Sequence, residues 1–312
     1  MDEKKKEEKL NKHIFGNLLR EHSLKTKRER IVKNIREIQE ITGRKLIVYI
    51  TNSSIPLAMI NREDVFGFED ILSAIDHNNN GDLLINSPGG EPNAADKILM
   101  MCKEHFSESF YTIIPDYAKS AATLITLGSD KILMGYTSEL GPIDPQLRFE
   151  HKDRSVPAQA YLSGLKYIKE RIKKDKDPDP LGMYIPLLDK FDPELIIICE
   201  NSIDHSKQLA KKYLKSGMLK SDPSMADEVA ELLCEGKKYK SHGKVINFKE
   251  AKETLKLNVQ LIEKESDLWK KVWECYCRIK MHLEETNSLN LFACESIALS
   301  QNLSRVEIKK ER

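Results

Sequence analysis

The chain has 312 residues, enough for one large domain or two small ones with a substantial core. Acidic and basic residues nearly cancel to a formal charge of +1, so bulk electrostatics gives no case for a nucleic-acid or anionic-membrane partner. The opening Met1-Asp-Glu-Lys-Lys-Lys lacks an export-type apolar core. No apolar run approaches the roughly 20 residues needed to span a bilayer, so a cytoplasmic protein with no membrane span is expected. Six cysteines, at 102, 199, 234, 275, 277 and 294, lack metal-ligand spacing and read as buried free thiols in a reducing compartment. No metal or cofactor is expected.

Residues 1–43 read as a mixed-charge helical arm. Ile14, Phe15, Leu18 and Leu19, and later Ile31, Ile35, Ile38 and Ile41, fall three or four apart. The basic run Lys25-Thr-Lys-Arg-Glu-Arg30 separates the two patterns and reads as a solvated face. Lys45–Thr51 is a short, β-branched strand, and a helix with one apolar side is expected over Asp64–Asp76. The buried-strand run Leu83-Leu84-Ile85 stops at Asn86-Ser87-Pro88-Gly89-Gly90. Paired glycines there permit unusual backbone and close approach, and leave amides able to hold an oxyanion. Taken alone, such a sequence is usually a turn.

A helix through Ala94, Ala95, Ile98, Leu99 and Cys102 follows, then a strand over Tyr111–Ile114. Asp116-Tyr-Ala-Lys-Ser-Ala-Ala-Thr123 next places Ser120 where another helix begins, a position where serine is usually an N-cap. The β-α-β-α-β-α order over 45–127 implies a parallel sheet with right-handed crossovers. Both loops then lie at its carboxyl edge, where α/β proteins bind ligands.

Lys131–Met134 is a further strand, and Ser138-Glu-Leu-Gly-Pro-Ile-Asp-Pro-Gln146 is a loop that holds Asp144 rigidly between prolines. Helices are expected over 156–173, 181–191, 193–214 and 224–233. Ser241-His242-Gly243 then precedes a short strand and a helix over 248–256. From 259 onward, Ile262, Trp269, Val272, Tyr276, Ile279 and Leu283 form a heptad seam. Residues 287–312 are polar apart from Leu291-Phe292-Ala293 and read as a tail.

SPGG, then AKSAAT, then ELGPIDPQ together resemble the Clp protease/crotonase superfamily, and within it the serine dehydrogenase proteinase family related to signal peptide peptidase A. The strong likeness covers Leu83–Leu147; a weaker one continues through 156–160 and 239–246 to about Val259. The resemblance implies a Clp/crotonase-like α/β fold over 44–258, between the helical arm at 1–43 and an amphipathic helix and tail at 259–312. It implies a serine endopeptidase with Ser120 as nucleophile and backbone amides of Gly89 or Gly90 and of Ala121 holding the oxyanion. Lys119 is a candidate substrate contact.

Clp-type relatives carry the base histidine where this chain has Asp144, and the acid where it has His242. The expectation is a permuted arrangement, with His242 as base and Asp144 as its orienter. Lys174 is the rival base, on the pattern of the Ser-Lys relatives, although its surroundings are densely charged. Expected partners are extended or unfolded peptide substrates and further copies of the chain. A binding or scaffold protein without a working base, and an acyl-CoA enzyme of the crotonase type, are the competing functions.

Overall fold

Short β-branched and apolar runs, each closed by a polar turn, build the sheet on which everything else rests. In the computed structural model, which describes residues 24–76, 80–148, 155–174, 180–234, 239 and 241–302, these runs lie in one of two units. The first comprises the described residues up to Leu140 and from Val245; the second comprises those from Gly141 to Lys244.

In the first unit the strands are β1 (Lys45–Thr51), β2 (Asn80–Asn86), β3 (Ser109–Ile114), β4 (Tyr117–Ala118), β5 (Lys131–Met134) and β6 (Glu139–Leu140). The helices over this stretch are α1 (Leu24–Thr42), α2 (Asp64–Ser73), α3 (Pro92–His105) and α4 (Ala121–Leu127). β2 pairs in parallel with β1 and β3, and β3 with β5, as the β-α-β-α-β-α order predicts. The strands alternate their buried faces. Leu46, Val48 and Ile50 of β1 join Leu84, Ile113 and Leu133 in one layer, with Ile31, Ile35 and Ile38 of α1 packed on it. Tyr49 points the other way, into an aromatic cluster with Phe68 of α2 and Phe292.

Two expectations at the ends of the chain differ from the structure. The basic run lies in the first turns of α1, and Arg28, Glu29 and Arg30 are exposed there as a solvated face requires, but Lys27 is not. Lys27 is buried there and meets the Glu285 carboxylate at 2.6 Å, a partner that pattern reading along one segment cannot supply. The earlier pattern at Ile14–Leu19 lies outside the described residues. At the other end, 259–302 is an integral part of the sheet unit. A short strand in parallel with β5 is followed by a long helix whose seam, from Trp269 to Leu283, packs on the same core as α1. Then Ser288–Ala293 forms a strand antiparallel to β1, and Ala298–Asn302 pairs beyond it at the sheet edge. Its polar residues conceal it in the sequence, but Ser288 and Asn290 are buried on side-chain partners. The last part of the expected tail, residues 303–312, lies outside the described residues.

The second unit is a short hairpin, Gln146–Arg148 with Ser155–Pro157, followed by helices Ala158–Lys174, Pro180–Leu188, Pro193–Ser216 and Pro223–Cys234. Ala158, Cys199 and Ile203 are its buried contact, flanked by Leu147, Tyr161, Leu162 and Leu195. All six cysteines are buried and none is in a disulfide. No helix among the described residues is long and apolar enough to cross a membrane.

Two stability predictions follow from these placements. Leu291 is fully buried in the sheet, so Leu291→Ala is expected to cost about 2–5 kcal/mol in urea unfolding. A tail residue would cost less than about 0.5 kcal/mol. Burial pulls the Glu295 carboxyl upward, but hydrogen bonds from Lys45 and Gln39 outweigh it and hold the pKa below its ordinary value. Such a group adds stability above its unfolded pKa and loses it as pH falls through the lower folded value. Glu295→Gln should therefore flatten the loss of thermal stability on acidification below about pH 4.3.

Candidate active site

After β2 the chain runs extended between two neighbours. Ser87 bridges to Ala118, with its N–H on Tyr117 O at 3.1 Å and its O accepting from Lys119 N at 3.0 Å. Three residues on, Gly90 bridges to Ile60: the Ile60 N–H donates to Gly89 O at 2.7 Å, and Glu91 N–H donates to Ile60 O at 2.8 Å. The C=O and the following N–H of a trans peptide point in opposite directions. Fixing Gly89 O on Ile60 therefore aims the Gly90 N–H to the side away from Ile60. Gly89 N–H is engaged, donating to Ser87 Oγ at 3.2 Å. Among the described residues the N–H groups of Gly90 and Ala121 meet no acceptor within the chain.

Both glycines are required by their surroundings. Gly89 has φ +104°, and a Cβ on it would stand 2.6 Å from both Ser120 Cβ and Lys119 O. Gly90 has φ +148°, and its Cβ would stand 2.0 Å from Ile60 O. The two loops thus meet with Gly89 directly against Ser120.

Ser120 has φ 50° and ψ −119°, a left-handed conformation that costs a non-glycine residue about 1–3 kcal/mol. The Ala122 N–H closes the turn on Lys119 O at 2.9 Å. The sharp strand-to-helix bend is the kind that lifts a nucleophilic serine clear of its helix. Its hydroxyl makes no cap hydrogen bond, unlike an ordinary N-cap serine, and the residue is half-buried. Behind it every residue of α4 is buried, and Thr123 Oγ1 donates to Ala118 O at 2.7 Å. Lys119, a candidate substrate contact, directs its ammonium to the Glu139 carboxylate at 2.7 Å and to Leu140 O at 3.1 Å.

In the second unit, Asp144 and His242 come together although 98 positions apart. His242 Nδ1 lies 2.8 Å from Asp144 Oδ1. Gln146 Nε2 donates to the other oxygen at 2.7 Å. The carboxylate is buried and the imidazole is one-third exposed. A carboxylate on Nδ1 selects the tautomer with the proton there, leaving Nε2 as the acceptor. Lys174 is exposed on the last turn of its helix, the reverse of the dry setting a lysine base requires.

Three contributors escape sequence reasoning. Ser87 stands inside SPGG and Gln146 inside IDPQ, so their motifs were visible but their roles were not. Ile60 gives no signal, because it acts through its backbone. The close approach gives a direct test. Gly89→Ala should leave a folded protein in which Ser120 is displaced and its labelling by a fluorophosphonate falls at least tenfold; unchanged labelling would contradict the contact.

The chain is 30% identical over 228 residues to the uncharacterized protein MJ1495 of Methanocaldococcus jannaschii, covering 66% of this chain and 72% of that one. It is 32% identical over 172 residues to MJ0137 of the same organism, and there it spans about half of the relative's length, 51%. Among solved structures it resembles the 1510-N membrane-bound stomatin-specific protease, with TM-score 0.41, 15% identity, and coverage of 68% of this chain and 79% of that one. It also resembles ClpP1 from Listeria monocytogenes, with TM-score 0.39, 15% identity, and coverage of 74% of this chain and 99% of that one. Residues 13–278 match the family described as ClpP-like SDH-type serine proteinase, and the chain belongs to that family of serine peptidases with a Clp-like α/β fold.

Proposed function

We propose that this protein is a serine endopeptidase that works through an acyl-enzyme on Ser120. The observation that carries the reading is the strained, uncapped Ser120 turn pressed against Gly89, with the Gly90 and Ala121 N–H groups left without acceptors. In this reading Ser120 Oγ attacks a peptide carbonyl while His242 Nε2 takes its proton. Asp144 orients the imidazole and stabilises its charged form, and Gln146 keeps the carboxylate from rotating. The developing oxyanion is held by the Gly90 and Ala121 amides. His242 then returns the proton to the leaving amine, and water releases the acyl group by the reverse sequence.

Membership of the peptidase family and the preformed Asp144–His242 pair support this assignment of roles. The exposure of Lys174 weighs against it as the base. Extended or unfolded peptides are the proposed substrates, because strand-like segments present their backbone to loops at a sheet edge. Six buried cysteines outside any disulfide suit a reducing cytoplasm, and assembly with further copies belongs to the same reading.

Ser120→Ala is expected to abolish fluorophosphonate labelling and cleavage of unfolded casein. Asp144→Asn should lower kcat by about 10⁴-fold, as loss of the orienting acid does in triads. Full activity in His242→Ala would remove that residue as base. Inertness of the folded wild type toward both casein and the probe would favour a binding or scaffold role instead.

A further inference from the structure

The loop that clamps the Gly89–Gly90 strand is itself held from below. Asp64 opens α2 with its side chain fully buried. Its Oδ2 accepts from the Asn61 N–H at 2.9 Å and from the Tyr49 hydroxyl at 2.8 Å, and its Oδ1 accepts from Asn290 Nδ2 at 2.7 Å. Tyr49 belongs to β1 and Asn290 to the adjacent strand Ser288–Ala293, so the carboxylate joins two neighbouring strands to a loop outside the sheet. Asn61 follows Ile60, the residue whose N–H and O fix the peptides on either side of Gly90.

We propose that Asp64 is a positioning residue of the oxyanion hole: by holding Asn61 it fixes Ile60, and through Ile60 the direction of the Gly90 N–H. This inference rests on the peptidase reading above and adds a residue that the chemistry never touches. Burial pushes the Asp64 carboxyl up to about 6 against the pull of its three donors. A buried carboxylate is a costly way to stabilise a core, since apolar residues often serve stability as well or better. What it provides here is geometric. An ionised carboxylate accepts three hydrogen bonds on two oxygens with no proton of its own in the way. Asparagine in its place would turn an N–H₂ toward a donor, and the Asn61 amide would lose a fixed anchor. The chain of bonds from Asp64 to Asn61, then from Ile60 to Gly89 O, is short and entirely backbone after its first link. A small rotation at Asn61 therefore reaches the Gly90 N–H with little absorbed along the way.

The test uses the full-length protein, with active sites counted by fluorophosphonate so that unfolded molecules do not enter the rate. Asp64→Asn is expected to lower kcat per titrated site on a peptide substrate by about 10²-fold, the scale of losing one oxyanion donor, with KM within twofold of wild type. Inhibition by a peptide aldehyde, whose tetrahedral adduct needs the same amides, should weaken in parallel. Tyr49→Phe removes one donor and keeps the carboxylate; it should lower kcat about 2- to 10-fold, and it decides the matter if Asp64→Asn does not fold. A merely structural role would reduce the number of titrated sites and the melting temperature while leaving kcat per site and the aldehyde affinity unchanged, and that result overturns the proposal. A folded wild type that the probe does not label overturns the peptidase reading and this inference with it; a labelled wild type whose variants keep kcat overturns this inference alone.

Discussion

One hydrogen bond, from the Ile60 N–H to Gly89 O at 2.7 Å, sets the geometry on which the candidate site depends. Because the peptide is planar, that bond determines where the Gly90 N–H points. It also holds the Gly89 Cα against Ser120, which leaves no room for any side chain at position 89. The need for glycine at 89 and 90 is therefore a consequence of two neighbouring segments pressing on one stretch of chain, Ile60 from one side and the Ser120 turn from the other. Conformational freedom alone would not explain it. Any residue that can rotate to a positive φ would still place its Cβ on Ser120 or on the Ile60 carbonyl.

The strain at Ser120 has to be held by its surroundings, at a cost of about 1–3 kcal/mol. Here the restraint comes from three directions. The strand side is bridged to Ser87, the helix side is a wholly buried turn of α4, and the Lys119 side chain is tied to Glu139 and Leu140. Lys119 thus has a structural account that its place beside the nucleophile does not suggest. The ion pair lies where β4 and β6 run in parallel, so it closes the same small sheet that carries the Ser120 turn. An exposed ion pair would contribute little. This one is largely shielded, with the lysine side chain 14% exposed and the carboxylate 24%.

Much of this was legible in the sequence because the relevant periodicities are local. The strand–loop–helix order over 45–127, the glycine pair and the serine at a helix start all declare themselves within a few residues. The pairing of Asp144 with His242 was legible only as an exchange of positions relative to a resembled pattern, since neither residue has a local signal for the other. The strand at Ser288–Ala293 was not legible. It reads as polar because its Ser and Asn residues satisfy their hydrogen bonds across the sheet, and burial of a satisfied polar side chain leaves no apolar mark. The division of the chain at 141–244 was hidden for a related reason: its boundaries fall inside loops, and contacts between segments distant in sequence decide it. Ile60 and Asp64 mark the limit of such reading, one acting through its backbone and the other through donors 15 and 226 positions away.

The roles proposed for Asp144 and His242 suit the environments in which the two residues stand. Position 144 is held between prolines and is buried, while position 242 sits in a glycine-flanked turn with one-third of its side chain exposed. A group that only orients another benefits from rigidity and dryness, because both strengthen its hydrogen bond. A group that must accept a proton from one partner and deliver it to another needs an accessible nitrogen, and becomes charged during the reaction. Placing the imidazole in the buried site would make its charged form expensive. Placing the carboxylate in the exposed one would let it rotate and solvate. Gln146 completes the preference by holding the second oxygen of Asp144, two residues along the same rigid segment. For these two environments, the order found in this chain is the one in which each group meets the demands of its proposed task.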